Sequence, residues 1–310
     1  MRVVFMGTPE FAAVSLKKLI STGYNVEAVV TQPDRPKGRG KKIQPPPVKQ
    51  VACSAGIEVL QPERVRDKDF VSELKKISPD VIVVVAFGQI LQEEILNIPP
   101  LGCINVHASL LPKYRGAAPI NWCIINGEVS TGITTMYMDK GMDTGDMIYR
   151  EEIAIENDES AGHLHDRLAG LGADVLVKTL GDVSAGVAPR TPQDHGQASY
   201  APPLDREDGK VDWQKPAGVI CNLIRGTDPW PGSYTHYEGL RIKLWKATAV
   251  EGSSGERPGT VLEVSSRGIR VQAGDGQVLI QEIQLPSSRR MTVDEYIRGN
   301  TLVPGKALGD

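Results

Sequence analysis

Apolar and polar positions repeat with one rhythm in the first two-thirds of the chain and another in the last third. Up to about residue 185, short apolar runs alternate with stretches whose apolar residues recur every three or four positions. That alternation predicts strands and helices in turn, and so an α/β domain built on a Rossmann-like, mostly parallel sheet. Residues 2–6, 26–30, 58–60, 81–86, 103–107 and 133–138 read as strands. Helices are expected over 10–21, 48–55, 68–77 and 160–180, with a Pro/Gly/Lys loop ahead of the second. The run at 81–86 is nearly all β-branched, as in a strand covered on both faces.

Between residues 185 and 203 the period disappears into a Pro-, Gly- and Ala-rich stretch that reads as a linker. Beyond it, 218–225 suits a short helix. The segments 241–247, 259–264, 269–273 and 278–285 suit strands broken by Gly and Asp turns, the pattern of a small β-barrel or sandwich. The expected organisation is a first domain over 1–188, a linker over 189–206 and a second domain over 207–310.

Composition narrows this only a little. At 40% hydrophobic and 24% charged, the 310 residues belong with folded globular chains and not with disordered or fibrous ones. No apolar run approaches the ~18 residues of a membrane span, and the first residues lack a signal-peptide pattern, so a cytoplasmic enzyme away from membranes is expected. Net charge is −3, and residues 207–310 hold 13 basic and 13 acidic side chains, so a polyanionic partner would be held by local patches. Cys53, Cys103, Cys123 and Cys221 form no C-x-x-C pair and read as reduced thiols.

Two glycine motifs exclude common chemistries. Gly7-Thr8-Pro9 after the first strand lacks the later glycines of a dinucleotide turn, and Pro9 has no amide hydrogen, so it reads as a tight strand-to-helix turn. Gly38-Arg39-Gly40-Lys41-Lys42 lacks the spacing and the Ser/Thr of a P-loop. Asn105-Val106-His107 is more informative. Residues two apart face one side of a strand, so an amide donor and an imidazole would converge at the strand's carboxyl end, where open parallel sheets bind ligands. Such a pair can stabilise an oxyanion and move a proton. Asp139, Asp143 and Asp146, in the turn after the 133–138 strand, are three candidate partners for the imidazole, and periodicity does not choose among them. That turn is expected at a carboxyl edge as well, curled by Gly141 and Gly145.

The stretch Asn105-Val106-His107-Ala108-Ser109-Leu110-Leu111-Pro112, the 115–119 segment and the Asp139-x-Gly-x-Asp-Thr-Gly turn together resemble the folate-dependent formyltransferases. Residues 31–36, 38–42, 228–232 and 243–247 resemble the branch of that family whose acceptor is initiator methionyl-tRNA, and the likeness runs through essentially the whole chain. The resemblance implies a catalytic trio of Asn105, His107 and Asp143, which selects among the three aspartates. Asn105 and a protonated His107 would stabilise the oxyanion of formyl transfer, with Asp143 orienting His107 and favouring its charged form.

It implies folate contacts at Phe87, Gly88, Ser109, Leu110, Leu111 and Pro112, and tRNA contacts at Arg39, Lys41 and Lys42. It also implies an OB-like second domain in which Arg241, Lys243, Lys246, Arg267, Arg270, Arg289 and Arg290 meet the RNA backbone. The implied donor is 10-formyltetrahydrofolate, with no metal, and a monomer is expected. Ala108 stands where the family often has glycine, and Phe87 where it often has tyrosine. The other readings are a transformylase or hydrolase using the same donor on another acceptor, and a non-catalytic RNA-binding module.

Overall fold

The first expected strand and helix form as β1 (Arg2–Gly7) and α1 (Glu10–Ser21). Gly7 permits the close turn between them, because a Cβ there would lie 2.7 Å from the Cβ of Ala12. The computed structural model describes residues 1–37, 42–300 and 302–309. It divides into two units: the first comprises Met1–Gly116, Thr131–Ile153 and His165–Ala201, the second Ala117–Ser130, Ala154–Leu164 and Pro202–Asp310.

The first unit continues with β2 (Asn25–Val30), a short hairpin of β3 (Arg35–Lys37) and β4 (Lys42–Gln44), then α2 (Pro47–Ser54), β5 (Glu58–Leu60) and α3 (Lys68–Ile77). The hairpin occupies the stretch expected to be a plain loop. In α3, Phe70, Val71 and Leu74 form the buried stripe; Asp69 in its first turn and Lys75 and Lys76 in its last complement the helix dipole. Next come β6 (Val81–Val85), α4 (Glu93–Leu96), β7 (Cys103–His107) and the two-residue β8 (Arg115–Gly116). After α5 (Pro119–Ile125), which belongs to the second unit, follow β9 (Ser130–Tyr137), β10 (Met147–Ala154), α6 (Ala161–Ala185) and β11 (Tyr200–Ala201).

Seven of these strands make one sheet in the order β10-β9-β7-β6-β1-β2-β5. From β5 through β7 every pairing is parallel, and β7 pairs β9 antiparallel. All five residues of β6 are buried, as its β-branched composition predicts. β10 is a strand the sequence pattern did not announce: it lies at the sheet edge, and Arg150, Glu151 and Glu152 give it the charge that edge strands carry. Strand order reverses between β1 and β6, and at their carboxyl ends Thr8 Oγ1 donates a 3.1 Å hydrogen bond to the Phe87 carbonyl. A ligand crevice is expected at such a reversal.

The second unit adds α7 (Ala217–Gly226), β12 (Ser233–Tyr237), β13 (Leu240–Val250), β14 (Val261–Ser265), β15 (Gly268–Gln272), β16 (Gln277–Gln284), β17 (Met291–Thr292) and α8 (Val293–Ile297). The strands form an antiparallel sheet in the order β12-β13-β16-β15-β14, with β17 beside β16. Ala217, Ile220 and Ile224 of α7 join Leu244, Val271, Ile280 and Ile283 in its apolar core. Among the described residues no helix is long and apolar enough to cross a membrane.

Candidate active site at the end of β7

Strand parity places Cys103, Asn105 and His107 on one face of β7. At the start of the strand that face is core: Cys103 packs with Val84 and Phe87, and burial pushes its thiol up to about 12, as for an inert small hydrophobe. Toward the carboxyl end the face becomes polar, with Asn105 9% and His107 6% exposed. The Asn105 amide makes no side-chain hydrogen bond among the described residues, so its donors are open to a ligand.

His107 Nε2 lies 2.9 Å from the Tyr114 carbonyl oxygen. A carbonyl only accepts, so Nε2 carries the hydrogen. His107 Nδ1 faces Asp143 Oδ2 at 3.7 Å, the distance of an ion pair rather than a hydrogen bond. A second proton on the ring would therefore point at a carboxylate. The same Oδ2 accepts 2.8 Å from the Gly116 backbone N–H. Of the three candidate aspartates, Asp143 is the one beside the imidazole. Asp139 Oδ1 instead accepts from Gly141 N and from Thr144 Oγ1, bracing the turn from within.

The turn arrives from a direction the sequence reading did not anticipate. β9 runs antiparallel to β7, with Thr134 opposite His107 and Tyr137 opposite Ile104. It therefore leaves the sheet beside the start of β7, not at a shared carboxyl edge, and Asp143 reaches His107 only because residues 139–146 fold back. The return is tight: a Cβ on Gly145 would sit 1.8 Å from the Tyr137 carbonyl oxygen. Asp143 itself has φ 52°, a left-handed conformation that costs an L-residue on the order of 1 kcal/mol.

Residues 114–116 hold both partners. Tyr114 takes the imidazole hydrogen and Gly116 supplies the amide to Asp143; their φ values are 60° and 117°. This segment is pinned from the other side by Ser199, whose Oγ accepts from Tyr114 N and whose carbonyl accepts from Arg115 N, and by the β8–β11 pairing. A Cβ on Gly116 would lie 2.7 Å from the Ala201 carbonyl oxygen, so only glycine fits. Tyr114, Gln193 and Ser199 were not singled out in the sequence. They act largely through or upon backbone atoms, in stretches without periodicity, and Gln193 and Ser199 fall in the segment expected to be a linker.

Of the residues expected to meet folate, Phe87 (2% exposed), Ser109 (0%) and Leu111 (0%) turn their side chains inward. Ser109 Oγ donates to Lys113 O, Thr134 Oγ1 donates to Ser109 O, and Thr134 Oγ1 accepts from Leu111 N, which shapes the chain after His107. Leu110 and Pro112 are half-buried and Gly88 is exposed, with φ 85°. With these side chains turned inward, the segments offer backbone and small apolar surface at the end of β7. No group of three or more His, Cys, Asp or Glu among the described residues is placed to hold a metal. Arg39 and Lys41, and the side chain of Lys42, lie outside the described residues.

Most of the basic side chains expected on the second unit have partners within it. Arg267 and Arg270 pair with Glu263, Arg289 with Glu295, and Arg290 with Glu282 and Asp228. Arg241 stacks over Tyr234 at 3.5 Å, and Lys243 donates to the Pro231 carbonyl. Burial, helped by nearby Arg241 and Arg206, pushes Lys243 below the usual lysine value.

A family model described as "Formyl transferase" matches residues 1–180, and one described as "Formyl transferase, C-terminal domain" matches residues 203–301. Among curated relatives, a methionyl-tRNA formyltransferase of Acetivibrio thermocellus is 55% identical over 310 residues, covering 100% of both chains. One of Clostridioides difficile is 53% identical over 309 residues, again covering 100% of both. Among solved structures, the sugar 3N-formyl transferase WlaRD superposes with a TM-score of 0.69 at 19% identity, over 93% of this chain and 99% of that one. HypX from Aquifex aeolicus, in complex with tetrahydrofolic acid, gives 0.65 at 17% identity over 96% of this chain, which spans only 47% of HypX. These structural likenesses speak to the fold; the sequence matches go further, and by them the chain belongs to the formyl transferase family.

Proposed function

We propose that this chain transfers the formyl group of 10-formyltetrahydrofolate to the α-amino group of methionine carried by initiator methionyl-tRNA, as the names of its full-length relatives suggest, and that it does so in the cytoplasm as a monomer. The observation that supports this reading most strongly is full-length identity of 51–55% to proteins of that name, together with an open amide, an imidazole and a carboxylate around one strand end.

The bound donor supplies an activated formyl carbon for attack by the amine. Asn105 donates to the formyl oxygen as negative charge develops there, the task of an oxyanion hole. His107, its Nε2–H held by Tyr114 O and its Nδ1 turned toward Asp143, stands beside the reacting atoms, where an imidazolium would add positive charge as the oxyanion forms. Asp143 keeps the ring in that orientation and takes, through water, the proton the amine loses; as the tetrahedral adduct collapses, the bond from the formyl carbon to the folate nitrogen breaks and that proton passes to the departing nitrogen, so that tetrahydrofolate leaves neutral. The buried Phe87 and Leu111 exclude water beneath the donor, while Gly88, Leu110 and Pro112 meet its ring. Arg39, Lys41 and Lys42 contact phosphates near the acceptor end of the tRNA.

The test is one assay with the folate donor and three acceptors: charged initiator tRNA, glycinamide ribonucleotide and water. Formylation confined to the tRNA is expected. Faster transfer to either of the others overturns the assignment of acceptor.

A further inference from the structure

We propose that Gln193 is a positioning residue that acts through Asp143, an inference that rests on the role given to Asp143 above. Gln193 is 6% exposed, and its primary amide is completely used. Nε2 donates 2.8 Å to the Asp143 carbonyl and 2.8 Å to the Gly145 carbonyl. Oε1 accepts from Arg115, at 3.2 Å from Nε and 2.6 Å from Nη2. Two N–H groups and two lone pairs are all an amide side chain has. Its orientation follows, because reversing it would set donors against guanidinium donors and an oxygen against two carbonyls.

The placement matters because of what the amide grips. The 139–146 turn reaches His107 from the far end of β7, and Asp143 sits in a left-handed conformation. Gln193 fastens the backbone of that strained residue and of Gly145 to Arg115, which is itself 2% exposed and chained to Gly116, the residue whose N–H binds the Asp143 carboxylate. The carboxylate is thus held from both sides of its own residue: side chain by Gly116, main chain by Gln193. Arg115 Nη2 also lies 3.1 Å from His195 Nδ1, which ties the guanidinium to the same stretch of chain. Without the amide, the buried Gly145 carbonyl and the half-buried Asp143 carbonyl would lose their donor, and the turn would relax away from the imidazole.

Gln193→Glu keeps the volume and still offers oxygen to Arg115 but loses both N–H donors; Gln193→Met keeps the approximate volume and loses everything else. Thermal unfolding followed by circular dichroism is the check that the variants fold. Both should lower kcat about 10–100-fold, the scale known for residues that orient metal ligands from an outer shell, with KM for the formyl donor within about twofold. Their pH dependence of turnover should move toward that of Asp143→Ala. In an Asp143→Ala background, Gln193→Glu should add less than about twofold. Full turnover in folded Gln193→Glu and Gln193→Met, with Asp143→Ala impaired, overturns the inference. Losses that multiply in the double variant overturn action through Asp143. Wild-type turnover in Asp143→Ala overturns the role of Asp143 itself, and the clamp with it.

Discussion

Both units bury polar side chains, but they distribute them differently. In the first, His107, Ser109, Arg115, Thr134 and Gln193 are buried in the hydrogen-bonded network around the end of β7, with the buried Asn105 amide beside it, while Ser15, Thr31, Thr131, Thr135 and Thr179 are buried away from it. In the second, Thr227 pairs with Ser233 and Gln272 donates to the carbonyls of Ala273 and Gly276, each closing a turn or a strand end near itself, and Asp228 meets Arg290 from a distant part of the chain. Burying polar groups is costly wherever it happens. The second unit spreads the cost over separate, paired contacts around an apolar core. The first concentrates much of it at one place and leaves the Asn105 amide open there. Concentration with an open donor marks a site prepared for chemistry; dispersion with pairing marks a fold being closed.

That contrast predicts opposite responses to substitution. The four tryptophans, Trp122, Trp213, Trp230 and Trp245, all fall in the second unit, so intrinsic fluorescence reports on its unfolding. Ile280→Ala, at a residue 1% exposed in that unit's core, should cost about 2–5 kcal/mol of stability by leaving a cavity. Urea unfolding followed by fluorescence reads this, and turnover per folded molecule should stay near normal. Asn105→Ala should do the reverse: turnover falls about 10²–10³-fold, the effect of losing one oxyanion donor, while the fluorescence transition is unmoved. A folded Asn105→Ala variant with near-normal turnover would remove the amide from the chemistry and blur the distinction between the units.

The same contrast explains what could be read from the chain before its structure. Regular elements with apolar periodicity were legible almost to the residue: α1, α3, β5 and β7 fall where the pattern predicts. Elements whose residues look polar were not. β10 carries three consecutive charges, and β12 reads Ser-Tyr-Thr-His-Tyr although four of its five residues are buried. In the site, Asn105 and His107 were legible because strand parity aims side chains. Asp143 was only one of three choices by pattern, and was singled out by resemblance. Tyr114 was invisible for a physical reason: it contributes a carbonyl oxygen, which every residue has. Gln193 was invisible because its partners include the carbonyls of Asp143 and Gly145, fifty residues or so away along the chain.

The proposed function gives the basic residues of the 38–42 segment a third use of polarity, toward an outside partner. Arg39→Ala should weaken use of methionyl-tRNA and reduce the slope of log affinity against log salt by about 1, as for one lost phosphate contact. The KM for the formyl donor should not change. Equal losses toward tRNA and donor would show that Arg39 supports the crevice itself, and the segment would then belong with the cluster around β7.

The smallest expected effect lies where the second unit closes α8. Thr292 Oγ1 accepts from Glu295 N, and Glu295 Oε2 accepts from Thr292 N, a reciprocal cap. Thr292→Ala should cost about 1 kcal/mol, visible by fluorescence and without effect on turnover per folded molecule. The cap also has a pH signature. The Thr292 backbone N–H first, and then Arg289, hold the Glu295 carboxyl below its ordinary value of 4.5. A carboxyl depressed in the folded state stabilises the fold fully above its unfolded value and loses that contribution as pH falls through the folded one. The stability gap between wild type and Glu295→Gln should therefore be constant near neutral pH, narrow below about 4.5 and then close. A gap that persists into stronger acid would mean that Glu295 acts by hydrogen bonding alone, through geometry that glutamine cannot reproduce. A gap in turnover at neutral pH would be more damaging, because it would place chemistry in the unit whose polar groups otherwise only close the fold.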